Sequence, residues 1–360
     1  MRKSSYILYN IALLLTMTAA LMTACTSDHA EGSATPTDKE SSKGHDIQLV
    51  TYANYYMEQN AQRRAAPSGF SPYTPDRQTN MGIYMLLSEA TDWNNPQEEL
   101  FRYISRWTAN IEVQTSKDYY VYGYMPKLAG MTSTLTKSKT SPYTATLTIT
   151  GIKAITSDGL YVITGVKNSD SGLREGSFLW RWDDLSTDIF NIHLLMDHLY
   201  ASMQFRMKID EEYAKLRTIK LKTMTLSTNK STIDVTVTLN NTTGTSPIGT
   251  ITYTMLGNNC ESEIFNNGEG EALNTLTALE VNAGLAPEPL ILGNLTLVST
   301  YDVYDSKGNL IRQNCSATNT LPDNLQVNRG ERMQLNMTVE PTYLYVLSEP
   351  DLDNPTIRFN

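Results

Sequence analysis

The sequence has little histidine and cysteine and no excess of basic charge, and each shortage counts against a class of function. Four His and three Cys in 360 residues leave few side chains that could bind a transition metal or act as a catalytic nucleophile. The 29 Lys and Arg are outnumbered by 38 Asp and Glu, which gives a net charge of −9. Because nucleic-acid binding needs a basic surface, we predict no nucleic-acid partner.

Motifs for catalysis and metal binding are also missing. His193 and His198 are five residues apart, whereas the two zinc-binding histidines of a metalloprotease helix are four apart. The sequence has no Gly-x-Ser-x-Gly nucleophile turn and no Gly-rich phosphate loop. The acidic stretches 183–184 and 351–353 lack the spaced oxygen ligands of a calcium loop. We therefore predict no catalytic residue, no metal and no cofactor, and that the protein is not an enzyme.

What the sequence does contain is a pattern typical of β-strands. Tyrosine is abundant, with 21 Tyr against 7 Phe, a composition that favours strands. Apolar and polar residues alternate in four stretches: 143–150, 203–209, 233–239 and 333–339. Because alternation gives a strand one apolar and one polar face, these stretches predict an all-β fold of antiparallel sheets packed as a sandwich.

Helix signals are few. Residues 95–99 carry a cap residue, a proline and acidic side chains, and predict the start of a short helix bearing Leu100, Ile104 and Trp107. Near-helical spacing of apolar residues in 182–200 predicts a second short helix or a linker.

The length of the chain accommodates a leader, a tether and two domains of common size. We predict a signal peptide at 1–24 and a polar tether at 25–45. An N-terminal β-sandwich domain follows at 46–195, and a C-terminal β-sandwich domain with a terminal strand segment occupies 196–360.

The N-terminus has the features of a lipoprotein signal. Basic residues at 2–3 precede an apolar run at 7–15, and small residues at 23–24 precede Cys25. This order is similar to a lipobox, in which the cysteine thiol receives a diacylglyceryl group and the peptide before it is removed. We predict lipidation of Cys25, with palmitate-type chains holding the exported protein in the cell outer membrane. The alternative is an ordinary cleaved signal with a chance cysteine.

The other two cysteines, Cys260 and Cys315, allow a single pairing. In the oxidising compartment that a secretory signal implies, a Cys260–Cys315 disulfide is one interpretation. Two buried, unpaired thiols are the other, because the sequence does not place the two residues close together.

Two segments have features beyond those of ordinary strands. Residues 46–56 have strand composition and are followed by Arg63 and Arg64 in polar, turn-prone sequence. An arginine-specific protease could release such a strand by cutting there; the alternative is a plain surface loop.

The C-terminus holds two apolar strand candidates, 341–350 and 356–360, separated by an acidic link. Because free termini are usually polar and frayed, an apolar terminus predicts a groove that receives it, in its own sheet or in a neighbour's.

A lipobox, a tether, a strand before an arginine site, two sandwich-sized halves and an apolar C-terminal strand pair together resemble the fimbrillins, the type V pilins. Local motifs agree with this. Residues 119–126 are similar to a first-domain strand of that family, 197–205 and 216–221 to its entry into the second domain, and 342–360 to its C-terminal segment.

The resemblance implies two transthyretin-like β-sandwich domains and cleavage by an arginine-specific protease after Arg63 or Arg64, with Arg77 a further candidate. It also implies that the first strand is lost and that a strand of the next subunit fills its groove, a form of β-augmentation. The displaced strand would carry Ile47, Leu49, Thr51 and Ala53. The donor strand would carry Tyr343, Tyr345, Leu347, Ile357 and Phe359.

The function that the resemblance implies is that of a structural subunit of a cell-surface fimbria that contributes to adhesion. Its partners would be other fimbrial subunits, the protease and, through the lipid, the outer membrane. Stalk, tip and anchor positions all stay open, and an anchor would keep its lipid and remain uncut. The alternative is a non-polymerising surface lipoprotein, or a tip adhesin, that binds glycan or a host ligand. The candidate stacking platforms for a glycan are Trp93, Trp107, Trp180 and Trp182.

Overall fold

The computed structural model describes residues 44–59, 69–75, 78–90, 96–114, 116–137, 144–157, 159–181, 189–242, 245–343 and 350–360. Strands dominate these ranges. In chain order they are β1 His45–Asn54, β2 Met57–Glu58, β3 Phe70–Pro72, β4 Thr79–Leu87, β5 Glu99–Tyr103, β6 Trp107–Ile111, β7 Asp118–Met125, β8 Thr132–Lys137, β9 Thr144–Lys153, β10 Ile155–Thr156, β11 Tyr161–Lys167, β12 Leu179–Arg181, β13 Ile189–His198, β14 Ala201–Ile209, β15 Arg217–Thr228, β16 Thr232–Asn240, β17 Ile248–Leu256, β18 Cys260–Ala272, β19 Leu279–Leu285, β20 Thr296–Asp305, β21 Leu310–Thr320, β22 Glu331–Tyr343 and β23 Pro350–Phe359. Two four-residue helices complete them, α1 Glu211–Ala214 and α2 Pro289–Leu292. No helix in the described part of the chain is long and apolar enough to cross a membrane.

The first sheet has nine strands and contains β1 in its interior. Its order is β11-β13-β1-β6-β5-β4-β7-β12, with β3 paired to β1. β7 also pairs with β11, so the sheet closes on itself. β1 runs parallel to β13 on one side and antiparallel to β6 on the other. Both long edges of β1 are therefore hydrogen-bonded.

Three further sheets complete the described fold. One has the order β10-β19-β14-β22-β2, with β23 also paired to β22; the others have the orders β18-β15-β20-β21 and β17-β16-β9-β8. The chain passes from the first sheet to the second between β13 and β14, at the buried residues Leu199 and Tyr200. Three pairings in the described ranges join the halves of the sequence: β9 pairs with β16, β10 pairs with β19, and β2 pairs with β22. The domain boundary near residue 195 stays a prediction.

The alternating stretches form the strands that the sequence predicts. In β16, Ile233, Val235, Val237 and Leu239 are fully buried, while the polar residues between them are half-buried. β9 covers residues 144–150 of the first alternating stretch, and β14 and β22 cover the stretches 203–209 and 333–339. The predicted all-β, sandwich-type fold is confirmed, with the apolar faces of the strands forming the core.

The helix predicted around residues 95–107 is wrong. Glu99–Tyr103 is strand β5, which pairs with both β4 and β6, and Trp107 begins β6. The local cap signals favour a helix only weakly, since the pairing of a strand with two neighbours outweighs such propensities.

The helix or linker predicted within residues 182–200 is also wrong where the structure describes it. Ile189–His198 is strand β13, paired with β1 and β11. Leu194, Leu195 and Met196 are all buried. A strand buried on both faces loses the alternation of period two, and its run of apolar residues then resembles helical spacing.

Candidate strand-exchange site

The inward face of β1 consists of the four residues that the resemblance assigns to a displaced strand. Ile47 is fully buried, and Leu49, Thr51 and Ala53 are 5–6% exposed. Residues between them are half-buried, so the alternation of the strand determines which side chains reach the core. Their role in a displaced strand stays a prediction.

Side-chain and backbone hydrogen bonds add to the ladder around β1. Asn110 Nδ2 on β6 donates to Asp46 Oδ1 at 2.7 Å. Thr51 Oγ1 donates to the Tyr73 carbonyl oxygen at 2.8 Å, and the Tyr73 N–H donates to the Thr51 carbonyl at 2.8 Å. Removing β1 would leave the facing backbone edges of β13 and β6 without this strand. Each backbone group that stays buried without a hydrogen-bond partner then costs about 1–3 kcal/mol.

After β1 the chain continues directly onto the second sheet, which the sequence reasoning missed. β2 pairs in parallel with Glu331 and Arg332 of β22. The Met57 N–H donates to the Gly330 carbonyl at 2.8 Å, and the Gln59 N–H donates to the Arg332 carbonyl at 2.9 Å. Residues 45–59 therefore belong to two sheets at once. No pattern in a two-residue strand distinguishes it from a turn, so the sequence offers no signal for β2.

Tyr56 lies between β1 and β2 and is stacked on His198. The two ring centroids are 3.6 Å apart with an interplanar angle of 28°. His198 Nε2 lies 2.8 Å from the Asn54 carbonyl oxygen, which only accepts, so Nε2 carries the proton. Burial lowers the pKa of His198 to about 4, and the imidazole is neutral at pH 7. The end of β1 is thus fastened by one ring contact and one hydrogen bond to the same histidine.

Asp197 and Arg329 hold this histidine in place. Asp197 Oδ1 accepts the His198 backbone N–H at 2.8 Å and Asn54 Nδ2 at 3.3 Å. Arg329 Nη1 donates to Asp197 Oδ2 at 2.7 Å and to the His198 carbonyl at 2.6 Å. Charge-assisted bonds of this length are about twice as strong as neutral ones, so the cluster joins the end of β13 firmly to the loop before β22.

The predicted donor segment partly lies on its own sheet. β23 pairs antiparallel with β22, with Ile357 buried and Phe359 half-buried. Tyr301 Oη donates to the Pro355 carbonyl at 3.1 Å, and Asn319 Nδ2 donates to the Ile357 carbonyl at 2.7 Å. The C-terminal strand therefore contacts both β22 and side chains of the sheet that contains β20 and β21.

Several predicted site residues lie outside the described ranges. Tyr343 is the last residue of β22, and its side chain is one of them. The others are the lipidation residue, the candidate cleavage residues and two donor residues: Cys25, Arg63, Arg64, Arg77, Tyr345 and Leu347.

Cys260 and Cys315 are both buried free thiols. Cys260 begins β18 and Cys315 lies in β21, and these strands form opposite edges of one four-stranded sheet. Two strands stand between them at about 4.8 Å per step, whereas a disulfide needs Cα atoms within about 7 Å. The two thiols are therefore unpaired in this structure.

The tryptophans that the structure describes are not surface platforms. Trp107 is 2% exposed and Trp180 is 1% exposed. Trp107 contacts Tyr103, and Trp180 contacts Tyr119, within the core of the first sheet. Neither ring can stack on a glycan from solvent. Within the described ranges, no group of three or more His, Cys, Asp or Glu side chains is placed to hold a metal ion.

No protein-family model matches the chain, and no curated protein sequence matches it. Among solved structures, the chain is similar to a candidate cell adhesion protein from Bacteroides fragilis, with 12% identity, a TM-score of 0.40 and coverage of 88% of this chain and 97% of that one. It is similar to another from Bacteroides uniformis, with 14% identity, a TM-score of 0.34 and coverage of 87% and 98%. A fimbrial protein from Bacteroides vulgatus has 12% identity, a TM-score of 0.32 and coverage of 88% and 98%. Likeness at this level carries no argument about function, which must follow from the strands and side chains of this chain.

Proposed function

We propose that the protein is a structural subunit of a cell-surface fimbria, assembled by β-strand exchange and contributing to adhesion. It is exported through the periplasm as a lipoprotein on Cys25 and reaches the outer membrane with its own β1 in place. An arginine-specific protease then cuts after Arg63 or Arg64, β1 leaves, and a strand of another subunit takes its position.

The observation that carries this proposal is the position of β1. It is an interior strand with both edges paired, yet it precedes the arginine pair in the sequence and has no described strand before it. A single cut at Arg63 or Arg64 would separate all of β1 and β2 from the rest of the chain. An interior strand that one cut can detach is what strand exchange requires.

The loss of β1 supplies a driving force for assembly. Ile47 and Leu49 each bury a side chain that contributes about 1.5–3 kcal/mol. With β1 gone, the facing edges of β13 and β6 present unpaired N–H and C=O groups beside an apolar groove. Such edges pair readily with another strand, and β1 prevents this pairing before the cut.

The donor strand is the C-terminal segment that includes Ile357 and Phe359. In the subunit it is paired with β22, so exchange replaces contacts on its own sheet by contacts in the groove of a neighbour. Groove and donor occupy different places on one subunit, and the contact is therefore heterologous. Contacts of this kind propagate into an open filament.

The alternative, a glycan-binding lipoprotein that does not polymerise, receives no support from Trp107 and Trp180, because both are buried. Trp93 and Trp182 lie outside the described residues.

The test is proteolysis of protein that starts at Thr26 with an arginine-specific protease. We expect a new N-terminus at Arg64 or Ala65, multimers in native mass spectrometry and filaments in negative-stain images. A variant with Arg63→Ala and Arg64→Ala should stay uncut and monomeric, while Arg77→Ala, the matched control, should behave like the wild type. Clean cutting with a lasting monomer would refute assembly, and no cutting would refute processing.

A further inference from the structure

Three polar side chains from three neighbouring strands meet within the sheet β18-β15-β20-β21. They are Lys222 of β15, Asp302 of β20 and Asn314 of β21. Lys222 Nζ donates to Asn314 Oδ1 at 2.9 Å and lies 3.6 Å from Asp302 Oδ2. We call these three residues the bulge site, because each lies where the strand pairing is irregular.

The irregular pairing is what brings the three residues together. The pairing of β15 with β20 shifts between residues 221 and 223, which leaves Lys222 as an extra residue. The pairing of β20 with β21 shifts at residue 302, where β21 places residues 313 and 314 opposite Asp302. Asn314 has a φ of 55°, a left-handed conformation that asparagine adopts more readily than most residues. Bulges re-aim side chains, so these two direct Lys222 and Asn314 towards each other across β20.

Further contacts hold each group of the bulge site in position. Asp302 is 4% exposed, and its Oδ1 accepts the Asn314 backbone N–H at 2.7 Å. The Lys222 side chain is 18% exposed. A Cβ on Gly270 of β18 would lie 3.4 Å from Lys222 Cγ, so the stem of the lysine packs against this glycine. Asn314 is exposed, and a small molecule released from its side chain has a path to solvent.

An amine, a carboxamide and a buried carboxylate in contact are the groups needed to form an amide bond between side chains. Since a C=O bond is about 1.2 Å long, Asn314 Cγ lies within about 4 Å of Lys222 Nζ. Groups held this close react as if at very high local concentration. Proton transfer from the ammonium to the Asp302 carboxylate gives two neutral groups, which cost less to bury than two charges, and it gives the free amine that is the nucleophile.

We propose that Lys222 and Asn314 form an intramolecular isopeptide bond, with Asp302 as the catalytic acid and base. One proton of the Lys222 ammonium passes to Asp302 Oδ2, and the amine attacks Asn314 Cγ. The new Nζ–Cγ bond forms as the Cγ–Nδ2 bond breaks. A second lysine proton and the proton on Asp302 leave with Nδ2 as ammonium, and Asp302 is a carboxylate again. Nothing is oxidised or reduced.

The neighbouring lysine is not placed for this reaction. Lys220 is the cross-strand partner of Asp302, but its Nζ lies over the Tyr304 ring, 4.9 Å from the centroid. Lys220 therefore serves as a matched control for Lys222.

The bond would fasten β15 to β21 across the strand between them. It would hold three strands of this sheet together when their backbone hydrogen bonds open, in a sheet whose two cysteines are not paired. The bulge site lies in a sheet that contains neither β1 nor β23, so the bond is independent of strand exchange.

The experiment is intact-mass spectrometry of folded protein that starts at Thr26, denatured and reduced just before measurement. We expect a mass below the sequence mass by one ammonia molecule, and a tryptic digest in which one peptide pair is joined through Lys222 and Asn314. Lys222→Arg and Asp302→Asn should keep the full sequence mass, whereas Lys220→Arg should lose ammonia like the wild type. Asn314→Asp should lose one water molecule instead and reach the same product.

Three results would count against the proposal. The full sequence mass in folded wild-type protein would refute the bond. A loss of ammonia that persists in Lys222→Arg would also refute it, because an asparagine can lose ammonia by cyclising onto its own backbone. A joined peptide pair that forms as completely in Asp302→Asn as in the wild type would exclude Asp302 as the acid and base.

Discussion

Leu49→Ala should destabilise the uncut protein strongly and leave the assembled form unchanged. Leu49 is 5% exposed in the interior strand β1. Truncation of a buried leucine to alanine costs about 2–5 kcal/mol, because the transfer of the side chain from water is lost and a cavity is left. Since Gln48 is only half-buried and points to the other face, Gln48→Ala is the matched control, with an expected cost below about 0.5 kcal/mol.

The assay is urea unfolding, with tryptophan fluorescence as the probe of the transition. Trp107 is the direct cross-strand partner of Leu49 on β6, and its buried indole reports on this part of the sheet. Uncut Leu49→Ala protein should show a free energy of unfolding lower by about 3 kcal/mol at an unchanged slope. After cutting and assembly, wild-type and Leu49→Ala filaments should have the same urea midpoint, because residue 49 has left with the segment.

Two results would refute this reasoning. Equal costs for Leu49→Ala and Gln48→Ala in uncut protein would contradict the inward placement of Leu49. A loss of filament stability in Leu49→Ala as large as that in the uncut protein would show that β1 stays in its groove after the cut, and strand exchange at this groove would be excluded.

Three other predictions concern the remaining parts of the fold. In the unfolded chain, His198 takes up a proton near pH 6.5, whereas in the folded protein it does so only near its lowered pKa of about 4. The free energy of unfolding should therefore fall by up to roughly 3 kcal/mol as the pH drops from 6.5 to 4. Urea unfolding of His198→Phe should lack this pH dependence. Ile357→Ala should cost about 2–4 kcal/mol in urea unfolding because Ile357 is 3% exposed, whereas the exposed neighbour variant Arg358→Ala should cost below about 0.5 kcal/mol; equal costs would contradict the register of β23. Cys260 and Cys315 should react with a thiol reagent only after unfolding and without prior reduction; fewer than two reactive thiols in protein starting at Thr26 would contradict the free state.

Alternation was a sufficient signal for strands with one buried face. β16 shows this, since its four apolar residues are all fully buried and the sequence pattern alone predicts them. The same reasoning applies to β1, where composition predicts the strand and the structure adds which neighbours it has. Neighbours cannot be predicted from alternation, because the pattern determines the face of a side chain and not the strand beside it.

β13 and the contacts of Tyr56 show why the rest could not be predicted. β13 is buried on both faces, so Leu194 and Leu195 break the alternation that would have identified a strand. Tyr56 packs beside Gly159, His198 and Arg332, which are far apart in the sequence and of ordinary residue types. The pairing of β2 with β22 brings Tyr56 to Arg332, the hydrogen bond between Asn54 and His198 brings it to the end of β13, and the pairing of β11 with β13 brings Gly159 there.

Photo-crosslinking from position 359, with benzoylphenylalanine in place of Phe359, distinguishes strand exchange from a C-terminal strand that stays on its own sheet. In the uncut protein, Phe359 is the cross-strand partner of Met337, so crosslinks should join β23 to β22 within one chain. After the cut at Arg63 or Arg64, we expect crosslinks between two chains that map to β6 or β13, the walls of the emptied groove. Crosslinks that stay within one chain on β22 after the cut would contradict strand exchange.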